Sequence, residues 1–161
     1  MSEPPNVSSS GLVELSHPRS RQRLTLAPAA GCCATAWTRE GQPYLHLNQS
    51  LPDFLSGTHT GGLPLLYPWA NRLRGDSWSF RGTSVDLADQ PGVHRDGEGR
   101  PMHGLLLRWP QWDLELHDGG LTASLDWSAH EHLMTAFPFA HRLRLSWTLE
   151  DDGLEVRTTV V

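Results

Sequence analysis

The sequence predicts an all-β protein in the form of an antiparallel β-sandwich. Apolar and polar residues alternate along two stretches near the end of the chain, Arg142 to Leu149 and Leu154 to Val160, and the turn Asp151-Asp152-Gly153 separates them. This alternation places apolar side chains on one face of each strand, and an Asp-Gly turn between two such strands is typical of a β-hairpin. No segment shows a sustained apolar period of about 3.6 residues, which argues against a helical domain.

Shorter predicted strands precede this hairpin, separated by segments that contain many of the 15 Gly and 12 Pro residues. Two long segments, Gln49 to Gly62 and Asp86 to Met102, are predicted as loops, and loops of such length are often functional. The predicted strands are Leu24–Leu26, Cys32–Trp37, Tyr44–Leu47, Trp78–Phe80, Leu105–Trp109, Trp112–Leu116 and Leu121–Trp127.

Length and charge limit the function classes. The 161 residues suffice for one domain with a hydrophobic core, and we expect a disordered lead over residues 1–10 and the domain over residues 11–161. The net charge of −5 argues against a nucleic-acid partner, and no apolar run is long enough to span a membrane. All 13 basic residues are Arg, which excludes Schiff-base chemistry within this chain.

The two cysteines, Cys32 and Cys33, are adjacent and lie among small residues. A pair of neighbours closes no useful loop, so we expect a reducing compartment and two small apolar strand residues rather than a disulfide. The first ten residues also lack the basic and apolar regions of a signal peptide.

The sequence stops at Val160-Val161, in the middle of a predicted strand. Such a strand would leave an apolar edge open to pairing. We expect either that another segment covers this edge or that the sequence is cut short, and we favour the second interpretation.

Several polar or aromatic motifs have plain structural interpretations. His130-Glu131-His132 has a spacing that can chelate a metal, but no third ligand accompanies it, so we expect a solvated loop. Asp96-Gly97-Glu98-Gly99 lacks the ligand pattern of a calcium loop and is predicted to be a plain turn. Trp127 and Trp147 are expected to fill the core, whereas Trp69, in a loop rich in Gly and Pro, is a candidate ligand wall.

Three segments in order carry a family resemblance. Gly62 to Leu73 contains the Pro68-Trp69-Ala70-Asn71-Arg72 sequence, Met102 to Leu105 contains a His-Gly pair, and Leu149 to Val156 contains the last turn with its flanks. Together they resemble the aldose 1-epimerase (galactose mutarotase) family, from about residue 11 to the end of the chain. The resemblance implies an incomplete portion of a galactose mutarotase-like supersandwich, a cytoplasmic setting, an aldose sugar as partner, and neither a cofactor nor a metal.

The resemblance also implies roles for individual residues. Arg72 would donate hydrogen bonds to sugar hydroxyls, Asn71 would orient Arg72 or the loop, and Trp69 would line the sugar site. His103 would lie at the anomeric end, either as the acid or as a contact, and Gly104 would permit a close backbone approach. Interconversion of anomers needs an acid for the ring oxygen and a base for the anomeric hydroxyl.

The family's second histidine motif, its substrate-binding Asp and its catalytic Glu have no counterpart up to Val161. The chain therefore resembles the N-terminal half alone, and we expect it to bind sugar without catalysing mutarotation unless a C-terminal half joins it. Two alternatives stay open: a non-catalytic sugar-binding or pseudoenzyme half, and a hexose-6-phosphate mutarotase in which Arg74 and Arg81 would meet the phosphate.

Overall fold

The computed structural model describes residues 5–57 and 59–161, and strands dominate this part of the chain. Two short α-helices, α1 and α2, cover Leu51–Ser56 and Glu131–Ala136, and two single 3₁₀ turns cover Pro28–Ala30 and Trp127–Ala129. The strands β1 to β11 are Asn6–Val7, Val13–His17, Gln22–Ala27, Cys33–Arg39, Gln42–Leu45, Ser77–Phe80, Thr83–Asp86, Asp113–His117, Gly120–Asp126, Arg142–Leu149 and Leu154–Val160.

The strands form two larger sheets and one separate hairpin. The five-stranded sheet has the order β1-β2-β3-β4-β5, the four-stranded sheet has the order β11-β10-β9-β8, and β6 pairs with β7. Every strand pair is antiparallel. The predicted antiparallel all-β architecture is therefore confirmed.

A shared apolar core joins the two larger sheets. It combines alternate residues of β2 and β3 with alternate residues of β9 and β10, which is the pattern expected when two sheets pack face to face. Trp147 is 2% exposed in this core, as predicted. The fully or nearly buried members are Val13, Leu15, Leu24, Leu26, Cys32, Ala34, Leu121, Ala123, Leu145, Trp147 and Leu149.

A second core lies at one end of the sandwich, under the long loops. Here α2 and β7 pack against Trp127, which is fully buried, and against Leu106 from the loop side. The prediction of a strand at Leu105–Trp109 is wrong. An apolar run of this length fits a buried strand or a buried loop equally well by pattern, and here Leu105, Leu106 and Leu107 are buried in a non-strand segment.

Two predicted loops contain short helices. In α1, Ser50 caps the helix by accepting a hydrogen bond from the Asp53 N–H at 3.3 Å, and a Pro lies in the first turn. The solvated loop expected at Ser128 to His132 is instead a 3₁₀ turn followed by the start of α2, with His130 at the N-cap position. Helices of one to two turns are too short to produce a detectable apolar period.

The first ten residues lie partly outside the described part of the chain. Within them, Asn6–Val7 pairs with Val13 and Glu14 at the edge of the five-stranded sheet. Cys32 and Cys33 are both buried with free thiols, as expected of small apolar residues. Over the described ranges, none of the helices combines the length and apolar character needed to cross a membrane.

Candidate functional site

The loop from Leu63 to Leu73 is held against the segment that carries His103. The Tyr67 carbonyl accepts the Leu105 N–H at 2.8 Å, and the Leu73 N–H donates to the Pro101 carbonyl at 2.8 Å. An isolated antiparallel bridge between Arg72 and Met102 lies between these two bonds. Tertiary pairing thus brings together two motifs that are some thirty residues apart in the sequence.

Gly104 is required for this pairing. Its φ of +74° lies in the left-handed region, and a Cβ atom at this position would lie 2.2 Å from the Tyr67 carbonyl oxygen. Any other residue would push the two segments apart. The close backbone approach predicted for Gly104 is therefore present, and its partner is the chain itself.

Asn71 and His103 hold each other in a strained backbone conformation. Their φ angles are +57° and +65°, a region that few residues other than glycine adopt. The His103 N–H donates to the Asn71 carbonyl at 2.9 Å, and the Asn71 N–H donates to His103 Nδ1 at 3.3 Å. Because Nδ1 is an acceptor, the neutral imidazole carries its proton on Nε2, which leaves a hydrogen-bond donor for a ligand.

Within the described part of the chain, the Arg72 guanidinium has two hydrogen-bond partners. Nε donates to Asp96 Oδ2 at 2.6 Å, and Nη1 donates to Asn71 Oδ1 at 3.1 Å. The side chain is 47% exposed, so its remaining N–H groups are available for a ligand. The Asn71 side chain therefore contacts the guanidinium that it is predicted to orient.

Asp96 is a site residue that sequence reasoning missed. The segment from Asp96 to Gly99 was predicted to be a turn without a functional role. Instead, the Asp96 side chain is only 5% exposed and forms ion pairs with both Arg72 and Arg100. Donation from the Arg100 backbone N–H, together with the Arg72 side chain, holds the pKa of Asp96 well below its usual range. No local signal marks this contact, since Asp96 and Arg72 are 24 positions apart.

A second histidine, His94, lies beside His103. The two rings are nearly parallel, at 10°, with their centroids 6.2 Å apart. Burial lowers the pKa of His94, and the neighbouring His103, Arg108 and His59 lower it further. His94 is therefore more readily neutral than an exposed histidine.

His94 also lines a cavity of about 350 Å³. His94, Arg108 and His132 contribute to its lining, together with apolar residues such as Leu105 and Trp109, and no acidic side chain lines it among the described residues. The Arg108 guanidinium stacks over the Phe54 ring at 4.1 Å.

The Arg108 guanidinium is only partly hydrogen-bonded among the described residues. Nη2 donates to the His59 carbonyl at 2.6 Å, but Nε and Nη1 are buried without an acceptor among the described residues. Burial lowers the pKa of Arg108. A buried donor without a partner is costly, so these two nitrogens mark Arg108 as a strained polar group beside the cavity. In the sequence, Arg108 is a single charge in an apolar run, which gave no reason to select it.

Trp69 contributes to packing in this region. It is partly buried against the second core, and its indole Nε1 is buried without an acceptor among the described residues. The neighbouring Tyr67 hydroxyl donates to His141 Nε2 at 2.8 Å, because His141 Nδ1 bonds to the Phe139 carbonyl and so holds the ring proton. This contact anchors the site loop to the start of β10.

His130 and His132, whose spacing could chelate a metal, pack on an aromatic ring. The His130 and His132 ring centroids lie 4.8 Å and 5.0 Å from that of Trp109. Across residues 5–57 and 59–161, no group of three or more His, Cys, Asp or Glu side chains is arranged to hold a metal ion.

Comparison with known families supports the ordered motifs. A sequence profile of the aldose 1-epimerase family matches residues 12–161. The chain belongs to the aldose 1-epimerase family. A search of curated proteins gave no match.

Several solved structures share the fold of this chain. The Slr1438 protein from Synechocystis sp. PCC 6803 is 26% identical, with a TM-score of 0.74 over 96% of this chain and 51% of that one. Galactose mutarotase-like proteins from Clostridium acetobutylicum (16% identity, TM-score 0.72, 98% and 48% covered) and Lactobacillus casei ATCC 334 (17%, 0.67, 93% and 44%) are also similar. The chain spans about half the length of these structures.

Proposed function

We propose that this chain carries the substrate-binding part of an aldose 1-epimerase site, which acts on a hexose in the cytoplasm. The observation that carries the proposal is the joined cluster of Asn71, Arg72 and His103, in a chain of this family. The cluster presents a fixed guanidinium and an imidazole donor from adjacent backbone segments.

The cluster suits a neutral sugar. A hexose offers hydroxyl and ring oxygens, which accept hydrogen bonds from the remaining Arg72 N–H groups and from His103 Nε2. In anomer interconversion, a base removes the proton of the anomeric hydroxyl while an acid protonates the ring oxygen, and the bond from C1 to the ring oxygen breaks to give the open-chain aldehyde. Rotation of the aldehyde and reversal of these steps gives the other anomer. His103, protonated on Nε2, is a donor in this scheme and not the base.

Sugar binding is the direct test. Titration of the chain with galactose and with glucose, followed by ¹H–¹⁵N NMR, should shift the signals of His103 and of the Arg72 side chain. Because a hydrogen bond to a charged group contributes about 1.5–3 kcal/mol, Arg72→Ala should weaken binding by about 10- to 100-fold. Arg74→Ala, an exposed neighbour on the same loop, is the control and should bind as the wild type does. Equal binding by the Arg72→Ala protein would refute the proposed role.

Activity is a separate question. None of the motifs matched in this chain supplies a catalytic Glu, so we expect the 161-residue chain alone not to accelerate mutarotation in polarimetry. Acceleration that Arg72→Ala abolishes would show that a base is present after all. Binding without acceleration agrees equally with a non-catalytic sugar-binding half, and addition of a C-terminal half from a similar protein would separate the two.

A hexose 6-phosphate is the second candidate substrate, favoured by the cavity at Arg108. A phosphate accepts charge-assisted hydrogen bonds from an arginine, and Arg108 Nε and Nη1 have no acceptor among the described residues. Arg74 and Arg81, the residues first considered for this role, are both exposed, and the Arg81 guanidinium lies 5.2 Å from the Phe80 ring.

Comparison of glucose 6-phosphate with glucose tests this candidate. The phosphate ester should bind at least about tenfold more tightly, and Arg108→Gln should remove that advantage, whereas Arg81→Gln should not. Equal affinity for the two ligands would reject the phosphorylated substrate and leave the neutral hexose.

A further inference from the structure

The Asp96 carboxylate accepts four hydrogen bonds beside the candidate site. Oδ1 accepts the backbone N–H groups of Glu98 and Arg100, each at 2.9 Å. Oδ2 accepts Arg72 Nε at 2.6 Å and Arg100 Nε at 3.2 Å. One oxygen therefore closes the local turn, and the other reaches across to the site loop.

The two anchors of Arg72 fix a planar group. Asp96 holds Nε, and the Asn71 side chain holds Nη1. With both contacts made, the guanidinium plane cannot rotate freely, although the side chain is half exposed. An arginine that is ordered before the ligand arrives loses less conformational freedom on binding.

We propose that Asp96 is a positioning residue of the sugar site, which holds the Arg72 guanidinium in the orientation that receives the sugar. This inference rests on the proposed function of the Arg72 cluster. Asp96 does not touch the sugar, and it acts through Arg72. The depressed pKa of its carboxyl keeps Asp96 ionised at neutral pH, in agreement with this role.

The alternative is that Asp96 only closes its own turn. Asp96→Asn separates the two roles, because an amide oxygen at Oδ1 still accepts the Glu98 and Arg100 N–H groups, whereas the ionic contact to Arg72 is lost. Arg100→Gln is the matched control, since it removes the other side-chain partner of the same oxygen and leaves the contact to Arg72 in place.

The first experiment needs no ligand. The exchange rate of the Arg72 Nε–H with water is measured by ¹H–¹⁵N NMR, and Arg72→Lys identifies the signal by its disappearance. We expect slow exchange in the wild type, exchange at least about tenfold faster in Asp96→Asn, and little change in Arg100→Gln. An unchanged rate in Asp96→Asn would overturn the inference whatever the ligand proves to be.

The second experiment measures galactose and glucose affinity of the same proteins. Asp96→Asn should bind about tenfold more weakly than the wild type, while Arg100→Gln binds within about twofold of it. Equal affinity of the wild type and Asp96→Asn would overturn the inference alone. If the wild type binds neither hexose, the proposed function fails, and the role of Asp96 in a sugar site fails with it.

Discussion

Replacement of Gly104 by Ala should damage both the fold and the candidate site. At φ +74° an alanine costs about 1–2 kcal/mol relative to glycine. Its Cβ would also lie 2.2 Å from the Tyr67 carbonyl oxygen and 2.4 Å from the carbonyl carbon. The two backbone segments would have to separate by about an ångström, at a cost of about 1–3 kcal/mol for overpacking. We therefore expect the free energy of unfolding to fall by about 2–5 kcal/mol.

Ala substitutions at two other glycines separate the cost of the positive φ from the cost of the overlap with Tyr67. Gly92 has a φ of +78° with nothing within 4 Å of an added Cβ, and Gly75 has open space and a φ outside the left-handed region. Urea unfolding, followed by tryptophan fluorescence and far-UV circular dichroism, should rank the losses of the three Gly→Ala variants as Gly104, then Gly92, then Gly75. If Gly104→Ala lowers the free energy of unfolding by no more than Gly92→Ala does, the close contact with Tyr67 does not constrain the site, which would refute this prediction.

Three further predictions concern the pH dependence and the core. Burial lowers the pKa of His94 from its usual 6.5, so the unfolded state binds more protons than the folded state as the pH falls. The free energy of unfolding should therefore decrease from pH 7.5 to pH 5.5. His94→Gln should reduce this pH dependence, as measured by urea unfolding. Burial raises the pKa of Cys32 to about 12 and that of Cys33 to about 11, so neither thiol should react with a thiol reagent at pH 8 until the protein unfolds. Leu145→Ala, at a position 1% exposed, should cost about 2–5 kcal/mol, whereas Leu116→Ala, 41% exposed, should cost less than about 1 kcal/mol by the same assay.

The local sequence pattern was sufficient to predict a strand where one face of the strand is buried and the other is exposed to solvent. In β10, buried Leu143, Leu145, Trp147 and Leu149 alternate with more exposed residues, and the strand was predicted with its bounds. Pattern failed where a segment is buried without regular pairing, as at Leu105–Trp109, and where a helix is as short as α2. Burial depends on what packs against a segment, and that information is not local.

The sequence by itself determined the β-sandwich class and, through the order of its motifs, the family, and it predicted three polar residues of the candidate site, Asn71, Arg72 and His103. Only the tertiary structure showed that Asp96 holds Arg72 and that His94 stacks on His103, and it alone revealed two Arg108 nitrogens that have no acceptor among the described residues. The physical reason is that motif spacing reflects the local backbone, whereas ion pairs and cavities arise between loops whose relative placement is set by the packed cores beneath them.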